Sequence, residues 1–338
     1  VYYFNKKISI LKQFDEATKI NYVKLGNKKF IFWFIVYLLS IALQIIPPSI
    51  AMLFFGIILG LALLATGNIQ NLSNIQSGLW AQWFSLAVQT ALVILSFFLY
   101  IKFVEKRPFS SIGLKGNGKA KKYLKGAVLA IIMQLAYFII VITFGWAEVT
   151  STAAYATTAM GVSAIGYVLL FLIGFIIQGA SEEVVVRGWM LPVMARHYKV
   201  STSIILSSLF FGLLHIMNPN ISTLSIINLV LYGVFAALYS LYDDGLWGVF
   251  AYHSIWNWFM GNVLGLPVSG MIAGKVSIIE TRITGPAWIT GGSFGPEGGA
   301  IVTLILSISI VIIIKLLIKK GLLISSKDSL KTELDSLN

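Results

Sequence analysis

Apolar residues run along this chain in long blocks separated by short polar or glycine-rich stretches. Apolar runs of about 18 residues or more with few charges read as membrane-spanning helices. Blocks near 30–66, 79–101, 126–145, 163–191, 202–217, 223–242, 247–264 and 299–319 therefore predict eight helices. The short alternating segments of a transmembrane β-barrel are missing from the pattern. The first block is too long for one straight crossing: its 37 residues would reach roughly 55 Å against a hydrocarbon core of about 30 Å. Pro47 and Pro48 interrupt it, so it is either two crossings or one kinked helix.

Charge decides between them. Lysines 6, 7, 12, 19, 24, 28 and 29 precede the first block, and Lys102, Lys106, Arg107, Lys115, Lys119, Lys121, Lys122 and Lys125 follow the second. Basic segments stay cytoplasmic, so an even number of crossings must separate these two, and block 30–66 is a single kinked helix. The uncharged 67–78 loop and the 146–162 loop, with Glu148 alone, then lie outside. Arg196, His197 and Lys199 return inside, as does the turn at Asp243 and Asp244, read as solvated. The 265–298 segment lies outside, and Lys315, Lys319 and Lys320 end inside. The prediction is an all-α polytopic bundle of about eight spans in the plasma membrane, with both termini cytoplasmic.

Composition agrees. Of 338 residues, 57% are hydrophobic and 11% charged, where a soluble domain carries about a quarter. The net charge of +12 belongs to the connecting segments, which points to anionic lipid rather than nucleic acid. Cysteine is absent, which excludes disulfides, a thiol nucleophile and Cys-ligated metal. The first 29 residues read as a basic cytoplasmic lead-in without signal-peptide character, and the C-terminal DSLN carries no lipidation motif. The chain divides into the basic segment 1–29, three helices over 30–162, a polar-bearing core over 163–264, the outer glycine-rich segment 265–298, and the last span with its tail over 299–338. No internal repeat argues for a transporter built from inverted halves.

Ionisable residues inside membrane helices are costly and therefore candidates for function. Here they are Glu182, Glu183, Arg187, His215 and His253, joined by Asn257, all on the four blocks from 163 to 264. The first three blocks contribute neutral polar groups such as Gln134. Glu183 and Arg187 are four apart with the carboxylate first, the favoured order for an ion pair. Glu182 points about 100° away and remains unneutralised. Gly179, Ala180 and Ser181 let neighbouring helices approach closely. Phe211 and His215 share one helical face, and so do His253 and Asn257. With Trp189, Ile204 and Leu246 as the inner boundary, Glu182 lies roughly 10 Å deep, His215 roughly 16 Å and His253 roughly 10 Å, nearer the cytoplasmic side. A packing role is the plainer reading of His215 alone and of the His253–Asn257 pair alone, and a structural knot is the alternative for Glu182, Glu183 and Arg187, but agreement in depth favours one shared site.

One Glu, two His and an Asn suit hydrolysis by an activated water. Glu182 would take the proton with help from His215, while His253 and Asn257 would donate to the oxyanion. Glu182, His215 and His253 are also a candidate zinc set, although the HExxH spacing is absent. Either no cofactor or a divalent metal fits.

EEVVVR (EExxxR), FFGLLH (containing FxxxH) and HSIWN (HxxxN) follow one another on successive apolar helices. In this order they resemble the CAAX-protease and bacteriocin-processing family, also called CPBP or Abi, whose eukaryotic member is the Ras-converting endopeptidase. The resemblance covers about 163–264, and the outer TGGSFGPEGG is similar to a loop of bacterial members, although a plain glycine-rich turn explains it as well. It implies an eight-helix intramembrane endopeptidase cutting a peptide or membrane protein near its C-terminus. In that family pattern Glu182 matches the water-activating glutamate, Glu183 its neighbour and Arg187 the structural arginine. His215, His253 and Asn257 match the remaining catalytic positions. Both a metalloprotease and a metal-free glutamate mechanism belong to the family. A Lys-rich, Arg-poor, Ile-rich chain suggests an AT-rich bacterial source, where peptide maturation or self-immunity to a bacteriocin replaces CAAX processing. The competing readings are a non-catalytic scaffold or immunity protein and a proton-coupled transporter.

Overall fold

In hydrocarbon a single segment can satisfy its backbone only as a helix, and each predicted block adopts that form. A computed structural model describes residues 2–4, 8–17, 29–67, 78–150 and 158–325. Parts of the predicted 1–29 segment, the 67–78 and 146–162 loops and the 299–338 tail lie outside the described residues. The helices are α1 (Ser9–Ala17), α2 (Lys29–Ala65), α3 (Leu79–Val104), α4 (Lys119–Thr143) and α5 (Gly161–Ala195). They are followed by α6 (Val200–Leu214), α7 (Thr223–Asp243), α8 (Trp247–Trp258, prolonged by a wider turn over Phe259–Val263) and α9 (Ala300–Lys319).

The first block is one helix through Pro47 and Pro48, as the charge pattern required. The eight blocks divide by helix length. Six described helices, α2, α3, α4, α5, α7 and α9, are long and apolar enough to cross a membrane. α6 has 15 residues and α8 has 12 before its prolongation, shorter than the about 20 of a full straight crossing, yet both run from the basic end toward the opposite end. α6 keeps Ile205, Leu209 and Leu213 exposed on its outer face, whereas α8 lies in the interior. Ten successive residues of α8, Gly248 to Asn257, are buried, so it is a central helix apolar on all sides, enclosed by α4, α5 and α7.

Small residues make that enclosure possible. A Cβ on Gly126 of α4 would stand 1.9 Å from the Gly248 carbonyl oxygen, and one on Gly179 of α5 would stand 2.6 Å from Ser254 Oγ. Both crossings bring backbones into contact, which is the role expected for Gly179.

The two ends of the bundle differ. On the basic end, Leu246 N donates to the Gly113 carbonyl at 3.0 Å and Lys320 Nζ to the Tyr242 carbonyl at 2.9 Å. Arg196 pairs with Asp15 of α1 at 3.3 Å, and Ile10 and Phe14 of α1 are fully buried. Arg107 bonds Glu105 at 2.5 Å, Glu105 also accepts from Trp189 Nε1 at 2.7 Å, and the guanidinium lies 4.5 Å from the Phe14 ring centre. Strand β1 (Tyr2–Phe4) pairs antiparallel with Leu323–Ser325, bringing the first and last described segments to this same end. Asp243 and Asp244 are half-buried rather than solvated. Asp244 closes α7 in the left-handed conformation (φ 58°), and the turn folds back over the 113–115 loop.

At the far end, β2 (Ala147–Thr150) pairs antiparallel with Glu280–Ile283, and β3 (Ala159–Met160) pairs parallel with Val276–Ser277. The two outer segments, expected as separate loops, are thus joined by backbone hydrogen bonds.

Gly126→Val should lower the melting temperature in detergent, because overpacking against backbone costs about 1–3 kcal/mol or more. Gly60→Val, with no atom within 4 Å of the added carbon, should leave it within error.

Candidate active site

The GASEEVVVRGW stretch lies in the second half of α5. Ordinary helix ends at Glu183 and a π-type turn runs from Val184 to Met190; such turns occur often at functional sites. The two adjacent carboxylates face different surroundings, as their 100° offset requires. Glu183 is completely buried and accepts from Arg187 Nη1 at 2.9 Å and from His253 Nδ1 at 2.8 Å. Arg187, equally buried, donates through Nη2 to the Gly233 carbonyl at 3.2 Å and lies 4.8 Å from the Phe211 ring centre. The phenylalanine of FxxxH is therefore the aromatic face on which the arginine rests.

Glu182 turns into a cavity of about 400 Å³ that also meets His215, Asn257, Phe171, Phe175 and Gln178. Its Oε1 accepts from Gln178 Nε2 at 2.5 Å. Its Oε2 is buried and takes no hydrogen bond from the described residues, and His253 Nε2 is 3.7 Å away. A carboxylate only accepts, so Gln178 must offer it the amide NH₂. The Gln178 carbonyl then accepts from Asn257 Nδ2 at 3.0 Å. Asn257 is tied to Glu182 through one glutamine.

The same logic fixes both imidazoles. His253 Nδ1 carries a hydrogen because Glu183 accepts it, leaving Nε2 toward Glu182. His215 Nδ1 lies 2.9 Å from the Phe211 carbonyl oxygen and must also donate, leaving Nε2 as the free nitrogen. Glu182, Asn257 and His215 thus border one space, and His253 reaches Glu182 from the buried side of it. Glu183 and Arg187 stand behind it, with Glu183 orienting His253.

Gln178 was not expected in the site, yet it stands four residues before Glu182 on the same helix, a spacing that would have placed it there. Gln82, Ser85 and Gln89 of α3 also line the cavity. Their neutrality hid them, although spacings of three and four put them on one helical face. Glu297, in the outer TGGSFGPEGG, is buried and accepts from Trp256 Nε1 at 3.1 Å, Ser269 N at 2.9 Å and Ser269 Oγ at 2.6 Å. More than a glycine-rich turn, this loop holds Val268–Gly274 over the cavity beside Asn257.

The expected depth is also corrected. The cavity is bounded by the first turns of α3, the end of α6 and residues 268–274, so it belongs to the far half of the bundle and not to the basic end. On α5 the residues from Val184 to Met194 are all buried beneath Glu182, so Trp189 lies inside the bundle and does not mark its inner boundary. His197 lies apart from the site, its ring tilted at 46° against Phe32 with ring centres 3.8 Å apart. Burial first, then the Arg196 charge, lowers its pKa below the usual imidazole value. Among the described residues no group of three His, Asp or Glu side chains is arranged to hold a metal ion.

A buried carboxylate–imidazole–amide cluster therefore lies inside a polytopic helical bundle. Residues 164–259 match the family model described as type II CAAX prenyl endopeptidase Rce1-like, so this segment of the multi-pass membrane protein is similar to the CAAX-protease family. The match holds all three motifs and less than a third of the chain, leaving out α1–α4, the outer segment and α9. No curated protein and no solved structure matches the chain.

Arg187→Ala leaves the Glu183 charge buried with half its support and should cost about 3–5 kcal/mol, read as a large fall in melting temperature. Lys12→Ala, which breaks the exposed Lys12–Glu16 pair, should change it by no more than a degree or two.

Proposed function

We propose that the protein is an intramembrane endopeptidase in which Glu182 activates the attacking water. The observation that carries this reading is the pair of unlike carboxylates. Glu183 is sealed from the cavity with Oε1 shared by Arg187 and His253, while the neighbouring Glu182 lines the cavity, its Oε2 taking no hydrogen bond from the described residues and lying beside an imidazole. Water bound at Oε2 gives its proton to the carboxylate as its oxygen bonds the scissile carbonyl carbon. The developing oxyanion takes the second Asn257 amide hydrogen, the first being held by Gln178. His253 joins it when Nε2 is protonated. The tetrahedral species then collapses, the C–N bond breaks, and the leaving amine recovers the proton from Glu182. His215 Nε2 accepts from the water and holds its lone pair toward the carbonyl. The substrate is a membrane-associated peptide or protein, cut near its C-terminus as the family likeness suggests, in maturation or in immunity to a bacteriocin. A non-catalytic scaffold would need no unengaged carboxylate in a cavity.

Glu182→Gln should reduce cleavage by about 10²–10⁴-fold, the usual worth of a general base, with an unchanged melting temperature. The readout is a comparison of membrane peptides from cells expressing either form; an unchanged peptide profile would favour the scaffold. Asn257→Ala should cost about 10²–10³-fold. Cleavage should survive prolonged chelation. Loss on chelation with recovery on adding zinc would instead make Glu182, His215 and His253 a metal set.

A further inference from the structure

We propose that the cavity is entered from the extracytoplasmic side, by an extended stretch of polypeptide presented at that surface of the membrane. The assignment of side rests on geometry and charge alone; the word substrate rests on the protease reading above.

The cytoplasmic route is closed. Between Glu183 and the basic end, every residue from Val184 to Met194 is buried. Trp189, at the centre of that stretch, is held by Glu105, whose partner Arg107 is covered by Phe14 of α1. α1 is thus a plug across the basic end.

The opposite end is where the cavity reaches the surface. Ser85 and Gln89 of α3 are exposed, and Met271 is 57% exposed on the rim. The walls suit a peptide. Gln82, which holds Gly274 N at 3.0 Å, and Ser85 and Gln89, hydrogen-bonded to each other at 2.9 Å, line one face of α3 opposite the Phe171 and Phe175 rings. Neutral donors and acceptors in a row match an extended backbone, and the rings match one or two side chains. The volume of about 400 Å³ falls in the range of about 300–1,000 Å³ for small-ligand sites, enough for a few residues rather than a folded domain.

Charge tells which end is which. Of 25 Lys and Arg residues, Arg187 is buried in the centre, and only Lys275 and Arg282 belong to the far segments. The others precede α2, join α3 to α4 or α5 to α6, or belong to the end of α9 and the tail beyond it. So one-sided a distribution holds the basic end in the cytoplasm, and the open end faces out.

The natural absence of cysteine makes a direct test simple. Gln89→Cys and Met271→Cys in the full chain, expressed in a bacterial inner membrane, should react with a membrane-impermeant maleimide in right-side-out spheroplasts and stay unlabelled in sealed inside-out vesicles. Lys115→Cys, exposed on the basic end, should do the reverse. Labelling of Gln89→Cys and Met271→Cys from the inside, from both sides, or from neither would overturn the proposal. A second arm reads the substrate: external labelling of Gln89→Cys should cut processing of membrane peptides at least tenfold, with the cysteine-free parent unaffected. Labelled protein that still processes at the parent's rate would overturn the polypeptide route. A parent that processes nothing would sink the protease reading while leaving the labelling result to decide the side.

Discussion

The buried Glu183 carboxylate is the interaction on which the rest of the site depends. It stands out of reach of water, where an unpaired charge would cost several kcal/mol, and it accepts from Arg187 at 2.9 Å and His253 at 2.8 Å. Each partner is then constrained in turn. Arg187 reaches the Gly233 carbonyl on α7 and rests on Phe211 of α6, and His253 is held on α8. One carboxylate therefore joins four helices. It also sets the His253 tautomer, so that the free nitrogen faces Glu182.

Glu182 is useful because its neighbour has taken the available cation. The helix puts consecutive side chains about 100° apart, so one carboxylate can be structural while the next enters a cavity. The π-type turn beginning at Val184 follows directly, where α5 passes from the site into the closed half. Gln178 completes the arrangement by linking Glu182 on α5 to Asn257 on α8.

The bundle is divided along its length into a sealed half and an open half. In the sealed half, α1 and the Glu105–Arg107–Trp189 cluster close the space between α3 and α5. In the open half, Glu297 reaches from the loop before α9 to Trp256, next to Asn257, and to Ser269. The roof of the cavity and the Asn257 side of the site are thus held by one acidic side chain.

Much of this was legible from residues alone. Long apolar blocks dictate helices because hydrocarbon leaves a backbone no other partner, and lysine positions dictate their direction. The spacings Glu183/Arg187 and His253/Asn257 fix shared faces, since a helix has one period. They marked Glu182 as the free carboxylate. Gln82, Ser85 and Gln89 were hidden because neutral side chains carry no penalty large enough to stand out in an apolar helix. The role of Glu297 was hidden because its partners lie 28 and 41 residues away and no local period links them. The side on which the cavity opens was decided by where α6 stops and by what packs beneath Glu182. Both depend on contacts between helices, whereas the sequence by itself determines only what each helix must do along its own axis.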